Sequence, residues 1–199
     1  MRNQDATVDH ECQLIDLIQA TPWITAVLSV VRQSALPDAW VGAGVLRDLV
    51  WGERFGTGFN PGDLHDIDVV FFDPTDLTRE YDRRATTRLE ALRPGLPWEA
   101  HNQAAVHTWY ADRFGGDQVP PFHSITEAVA TWPETATAVA VRLDTADTVR
   151  VCAPFGLDDL LNGVWRRNPA RASLDVSWSR LARHRPDRRW PGVQVITPA

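Results

Sequence analysis

Apolar residues recur at helical spacing near the start of the chain, where Cys12, Leu14, Ile15, Leu17 and Ile18 form one stripe over residues 8–20. Thr21 and Pro22 read as a cap and first-turn pair for a second helix over 23–36, which Pro37 and Asp38 stop. The pattern then shortens. Trp40 and Val41 make a brief apolar run, Gly42, Ala43 and Gly44 a small-residue turn, and residues 45–51 a third helix. Residues 52–65 hold four glycines and Pro61 and read as a loop. Residues 66–72 are β-rich and mostly apolar, which predicts a central strand. A polar helix is expected over 77–92, a strand over 98–109 and a short helix over 125–131. Residues 135–143 and 148–153 predict a hairpin, and helical patterns over 157–166 and 174–184 close the chain. Strands and helices alternate irregularly, so an α/β (α+β) fold is expected, with helices on a mixed sheet. One domain over 1–199 is expected, with N-terminal helices about 8–36, a core about 38–155 and C-terminal helices about 156–190.

Composition narrows the class. A chain of 199 residues should bury roughly 70% of its extended surface, enough for a core without staples. Its mean hydropathy is −0.26, and its best apolar stretch, 24–31, is broken by Thr25 and Ser29. That is far short of the ~20 residues of a membrane span. Asp5, Asp9 and Glu11 occupy the places where a secretion signal needs basic and apolar residues. The two cysteines, Cys12 and Cys152, have no metal-like spacing. A reduced, cytoplasmic setting is therefore expected. Every basic residue except histidine is Arg, 20 in all, which removes lysine Schiff bases and the P-loop lysine. Charge is uneven: residues 1–165 hold 12 Arg and 24 acids, and residues 166–199 hold 8 Arg and 2 acids. The bulk of the chain is thus a poor generic nucleic-acid binder, with a basic end.

The chemistry concentrates in two places. On a strand, Asp66 and Asp68 share one face while Ile67 and Val69 share the other. Two carboxylates so placed can jointly hold Mg²⁺, or Mn²⁺ in its stead, and leave room for phosphate oxygens. Ahead of them, Gly42, Ala43 and Gly44 open a helix whose free N–H groups suit a phosphate. Close approach or a positive φ is expected at Gly44.

This arrangement resembles the DNA polymerase beta-like nucleotidyltransferase superfamily, with its small-residue turn opening a helix and its Asp–apolar–Asp pair on the next strand. The segment Val41–Gly42–Ala43–Gly44–Val45–Leu46–Arg47–Asp48–Leu49 is similar to the head of tRNA CCA-adding enzymes and bacterial poly(A) polymerases. The chain as a whole is most similar to a bacterial nucleotidyltransferase-like branch of that superfamily. The shared blocks there are Trp98–Glu99, Asn102–Gln103, Trp132–Pro133–Glu134–Thr135–Ala136–Thr137 and Ala153–Pro154–Phe155–Gly156–Leu157–Asp158–Asp159. Two features depart from the superfamily pattern: Ala43–Gly44 offers no serine hydroxyl, and the gap from Gly44 to Asp66 is long and glycine-rich.

The resemblance implies a metal-dependent transfer of a nucleotidyl group from an NTP to a hydroxyl acceptor. The acceptor could be a small molecule, a protein or RNA, with nucleic acid the least favoured. A third carboxylate is then expected, and Glu99 is the candidate, with Asp144 in reserve. Asp66, Asp68 and Glu99 would hold metal and act in catalysis, while Gly42, Ala43, Gly44 and Arg47 would bind the nucleotide. Arg47 could equally pair with Asp48 or Asp66, and Arg142 is a second phosphate candidate that reads better as an ion pair in the sheet. His65, His101 and His107 lack the spacing of a helical zinc site. Asp158 and Asp159 read as helix N-terminal charge. The nine tryptophans read as packing, and the arginines of 166–189 as a solvated face. The rival expectation is a catalytically degenerate member that binds nucleotide or a protein partner, as in a toxin–antitoxin pair.

Overall fold

Trp40–Gly42 (β1) and Ile67–Phe71 (β2) are buried apart from the partly covered Asp68, and they lie at the centre of a five-stranded sheet. The computed structural model describes residues 2–114, 119–170 and 173–198. The strand order is β3-β2-β1-β4-β5, completed by Trp98–Asn102 (β3), Ala140–Leu143 (β4) and Val149–Cys152 (β5). The pair β2–β3 is parallel and every other neighbouring pair is antiparallel, so the sheet is mixed. The parallel pair needs a crossover, which Arg79–Leu92 (α4) supplies.

Alternation along the strands sorts the two faces. Val41, Ile67, Val69, Phe71, Val141 and Val149 point into the main core with Arg2–Gln19 (α1), Pro22–Gln33 (α2), Gly44–Phe55 (α3) and α4. Leu14, Ile18, Ile24, Leu46, Leu49 and Leu89 from those helices are fully buried. The opposite face carries Trp40, Val70 and Ala140, packed beneath Ile125–Val129 (α6) and Trp132. Among the described residues no single helix is long and apolar enough to cross a membrane, and Asp9–Gln19 meets α2 at 92°.

Several boundaries differ from the expected ones, each for a local reason. The strand expected over 98–109 ends at Asn102, a fully buried amide that works as a hub. Its Oδ1 accepts from the backbone of Asp73 and Ala104, and its Nδ2 donates to the carbonyls of Asp73 and Asp76. The chain therefore turns into a 3-10 segment, Gln103–Thr108, and then Tyr110–Phe114 (α5). Residues 135–137 are likewise a 3-10 turn, so β4 starts only at Ala140. The helix expected over 157–166 shrinks to Asp158–Leu161 (α7). Gly163 adopts a left-handed φ of 67°, and the Phe55 ring lies 2.7 Å from where its Cβ would be. Beyond it, Val164–Trp165 (β6) pairs in parallel with Gln194–Val195 (β7), a two-stranded sheet the sequence pattern did not predict. Leu174–His184 (α8) is as expected, and Pro186–Arg189 (α9) follows it.

Tryptophans tie this C-terminal stretch to α3. The Trp51 indole N–H donates to the Leu160 carbonyl at 2.7 Å. Its ring meets Trp190 edge-on at 5.2 Å and Trp165 at 6.3 Å.

Gly42 is required by packing. A Cβ there would lie 2.5 Å from the Trp132 ring and 3.1 Å from the Val139 carbonyl. Gly42→Ala should therefore destabilise the protein by ~1–3 kcal/mol, the usual cost of overpacking. Pairing it with Trp132→Leu should recover part of that loss in chemical denaturation; an unaffected single variant would show that Trp132 moves aside freely.

Candidate active site

The parallel register sets Asp68 directly beside Glu99 and Val70 beside His101. Paired rungs are about 4.8 Å apart, so two acids from distant parts of the sequence become neighbours. The ligating atoms of Asp68, Glu99 and His101 lie within 4.8 Å of one another. Asp66 precedes β2 by one residue, and its Oδ1 is 3.8 Å from the Cβ position of Gly44, beside the start of α3.

Crowding of like charge shows in the acid strengths. Withdrawal from water and the Asp66 charge push Asp68 up to about 6, against the pull of His101 and Arg180. Asp66 is raised by burial and by Glu99, while Arg47 and His65 oppose the rise. Burial works against a charged His101, but the nearby carboxylate of Asp82, with Asp68 and Glu99 behind it, prevails and raises its pKa.

The turn before α3 is strained at Ala43, with φ 55° and ψ −119°, rather than at Gly44. A Cβ on Gly44 would meet only ordinary contacts, 3.5 Å from Arg47 Nη2. The Ala43 N–H donates to the Val139 carbonyl, and no side chain caps α3. Arg47 is buried and committed to Asp48, donating from Nε at 2.8 Å and Nη2 at 2.6 Å to Oδ1. Arg189 takes the other oxygen of Asp48 at 2.8 Å, and Arg47 lies over the Trp190 ring at 5.3 Å.

Two cavities meet at the acids. A polar one of about 740 Å³ is lined by Gly44, Arg47, Asp48, His65, Asp66, Arg183, His184 and Arg189. Burial and four surrounding arginines, Arg47 foremost, hold His184 down at about 3, so it stays neutral while the arginines keep their charge. The other cavity, about 580 Å³, is mainly apolar and aromatic, with Val70, Val106, Phe122 and Trp132 around Asp68, His101 and Arg180. Arg183 borders both.

Two of these residues carry no obvious signal in the sequence. Arg180 belongs to a segment read as a solvated face, yet it is largely covered. It forks onto the fully buried Glu134, with Nε to Oε1 at 2.6 Å and Nη2 to Oε2 at 2.8 Å. The solvated-face expectation is thus corrected for Arg180, while Arg183, Arg188 and Arg189 are exposed, Arg183 and Arg189 beside the polar cavity; residues 171 and 172 lie outside the described residues. The available signal was spacing: Val176, Arg180 and Arg183 fall at i, i+4 and i+7 on one face of α8. His101 was dismissed on histidine spacing, which says nothing about a ligand set assembled across two strands.

Other candidates settle elsewhere. Asp144 caps its hairpin, accepting from Ala146 and Thr148 N–H and pairing with Arg150, so it is no third acid. Arg142 pairs with Asp38 and stacks on Trp40 at 4.3 Å, the ion-pair role. Asp158 meets His10 and Asp159 holds Arg166 and Thr135, contacts beyond the helix N-terminal charge expected of them. His65 faces the polar cavity, and His107 lies in the 3-10 segment.

The raised Asp68 has a consequence for stability. Its folded value, about 6, exceeds the ordinary value of 3.8. The stability it contributes is therefore full below about pH 4 and lost as pH rises through 6. Asp68→Asn keeps the shape without the charge. The metal-free proteins should melt together near pH 4, and the variant should be the more stable at pH 7.5 by on the order of 2 kcal/mol. A wild type that stays ahead at pH 7.5 in thermal melts would contradict the crowded-acid reading.

The sequence matches a nucleotidyltransferase family over residues 29–195. Among solved structures, an NMR structure described as revealing a CCA-adding enzyme head domain superposes with a TM-score of 0.77 at 25% identity, covering 92% of this chain and 94% of that one. The Thermotoga maritima CCA-adding enzyme complexed with tRNA gives 0.54 at 17% identity, over 88% of this chain and 40% of that one. A CCA-adding enzyme in complex with CTP gives 0.52 at 17%, over 92% and 42%. The chain thus spans about two-fifths of the length of those two enzymes. No curated protein matches the sequence. The family match over most of the chain and the head-domain fold together mean that the chain belongs to this nucleotidyltransferase family, within the polymerase beta-like superfamily.

Proposed function

We propose that the protein moves a nucleotidyl group from an NTP to a hydroxyl on a small acceptor, with a divalent cation, Mg²⁺ or Mn²⁺, held by Asp66, Asp68 and Glu99. The observation that carries this reading is the position of the acids between two unlike cavities: Asp66 borders the polar one, Asp68 the apolar one, and Arg183 both. The carboxylates fit such an ion, since Asp68 and Glu99 lie side by side on paired strands and burial makes unshielded charge on Asp68 costly. When bound, the cation neutralises triphosphate charge and lowers the pKa of the attacking hydroxyl.

The chain's own groups divide the remaining work. The backbone of Gly42, Ala43 and Gly44 leads into the uncapped start of α3, where free N–H groups face the polar cavity and suit the β- and γ-phosphates. Arg47 adds fixed charge beneath that turn, aligned by Asp48, and Arg183 and Arg189 add charge at the rim. Displacement at the α-phosphorus requires the entering oxygen to stand opposite the leaving one. With pyrophosphate departing into the polar cavity, the acceptor comes from the apolar side. The new bond joins the acceptor oxygen to the α-phosphorus, and pyrophosphate and a proton are released.

CCA-adding enzymes among the structural neighbours are described with tRNA, CTP and ATP. For this chain a small acceptor is favoured over RNA, because Arg180, Arg183 and Arg189 line the two cavities beside the acids.

The test is incubation with each labelled NTP, Mg²⁺ or Mn²⁺, and panels of metabolites, RNAs and proteins. Label should reach a non-RNA acceptor with release of pyrophosphate, and Asp68→Asn and Glu99→Gln should each lower the rate by at least about 100-fold. NTP-dependent thermal stabilisation without any turnover would instead make the protein a nucleotide-binding, non-catalytic member. For RNA, replacing Arg180, Arg183, Arg188 and Arg189 by Gln should change the salt slope of binding little. A wild-type slope steeper by ~3 in log–log units, lost in that variant, would favour an RNA acceptor.

A further inference from the structure

We propose that His101 completes the cation site with its Nε2, so that the site binds Mn²⁺ in preference to Mg²⁺. This rests on the reading that Asp68 and Glu99 hold the cation, and it adds a ligand of different chemistry. His101 shares the sheet face of Asp68 and Glu99, and its Nε2 lies 3.5 Å from Glu99 Oε2. The ligating atoms of the three residues fall within 4.8 Å of one another. Atoms bound to one ion at ~2.1 Å are separated by at most ~4.2 Å, so the set closes with a few tenths of an ångström of side-chain adjustment.

A second observation, outside this set, points the same way. The other ring nitrogen, Nδ1, is buried and lies 3.8 Å from Asp82 Oδ2. Asp82 is itself buried on α4 and held in place, its Oδ1 accepting the Asn102 N–H at 2.8 Å and its Oδ2 accepting from Arg79 at 3.3 Å. A ring shift of about 1 Å towards Asp82 would let Nδ1–H donate to it, fixing the tautomer and leaving Nε2 as the lone-pair donor, the usual arrangement behind a metal-bound imidazole. Asp82 and His101 reach this geometry because α4 crosses over to β3, and Asp82 anchors the backbone where β3 ends.

An imidazole changes which ion the site prefers. Mg²⁺ takes oxygen ligands and sheds water reluctantly, so it gains little from nitrogen. Mn²⁺ keeps the same taste for carboxylates and accepts imidazole more readily. With Asp66, Asp68 and Glu99 the site would offer three carboxylates and one imidazole, and an octahedral ion would keep about two positions for phosphate oxygens.

The experiment uses the full-length, metal-free protein at pH 7.5 with MnCl₂ and MgCl₂ as the only probes. Free Mn²⁺ is followed by continuous-wave EPR, and bound Mn²⁺ by pulsed EPR for ¹⁴N coupling from an imidazole. The expected result is Mn²⁺ bound with ¹⁴N coupling and displaced only by more than about tenfold excess Mg²⁺. His101→Asn should lose the coupling and most of that preference. Asp82→Asn should keep the coupling while weakening Mn²⁺ binding by about 10–100-fold. Mn²⁺ bound by the wild type without ¹⁴N coupling, and lost in Asp68→Asn, would overturn the role of His101 while leaving the carboxylate site standing. Coupling that persists in His101→Asn would overturn it as well. Absence of Mn²⁺ binding by the wild type at millimolar concentration would overturn both readings.

Discussion

Two carboxylates fixed one rung apart on parallel strands are the constraint around which this protein is arranged. At about 5 Å and an effective dielectric near 20, two such charges repel by ~3 kcal/mol. Backbone hydrogen bonding sets the register of β2 and β3 and so keeps the two residues paired. The protein meets the cost in parts. Asp66 stands beside the positive end of α3, Asp68 lies within the field of Arg180, and its affinity for a proton rises to about 6. A helix N-terminus returns about 1 kcal/mol at most sites. That leaves a repulsion which only a proton or a cation removes, and near neutral pH the cation is the better match to a group titrating at about 6.

Arg180 can take part only because α8 is held against the sheet. Its fork onto Glu134 is buried, and leaving either partner alone there would cost about 3–5 kcal/mol. The Thr137 hydroxyl also reaches Glu134, and Thr135 joins Asp159 at the start of α7. Trp132 presses against Gly42, and Trp51, Trp165 and Trp190 clamp the chain that follows α7. The blocks around Trp132–Thr137 and Gly156–Asp159 are thus framework. They bring a C-terminal arginine to within reach of acids that precede it by more than a hundred residues.

How much of this could be read in the sequence depended on whether the information was local. The small-residue turn, α3, and the alternation that puts Asp66 and Asp68 on one face are written within about 25 residues of each other, and period and turn chemistry suffice to find them. Glu99 was reachable because a third acid on a neighbouring strand has few candidates. Boundaries failed where one side chain redirects the backbone: Asn102 ends β3 by binding the backbone of 73 and 76, and Gly163 turns because the Phe55 ring fills its side-chain position. Neither partner is near in sequence. Arg180 and His101 were hidden for the same reason, since an arginine on a polar helix and a histidine on an edge strand look solvated until Glu134 and Asp82 come into place.

The sorting of charge also bears on direction. Among the described residues, Arg47 and Arg189 line the polar cavity and Arg183 borders both, whereas the second cavity holds Arg180 beside Asp68 and is otherwise walled mainly by aromatic and aliphatic side chains. A triphosphate carries its charge at one end, and desolvating that end in the apolar cavity would cost far more than the arginines of the polar cavity could return. In the proposed reaction the nucleotide would therefore have one favourable orientation across Asp66 and Asp68, with its phosphates towards Gly44 and Arg47, which line the polar cavity. The apolar cavity, at about 580 Å³, is within the ~300–1,000 Å³ typical of small-molecule sites. Its walls come from Phe122 and residues 131–133 on either side of α6, the segment around 103–110, and α8, all within this chain, so in the proposed reaction the fold itself limits what can approach the α-phosphorus from the far side. An acceptor with an apolar or aromatic body and a hydroxyl at its polar end meets that limit, and an extended polyanion does not.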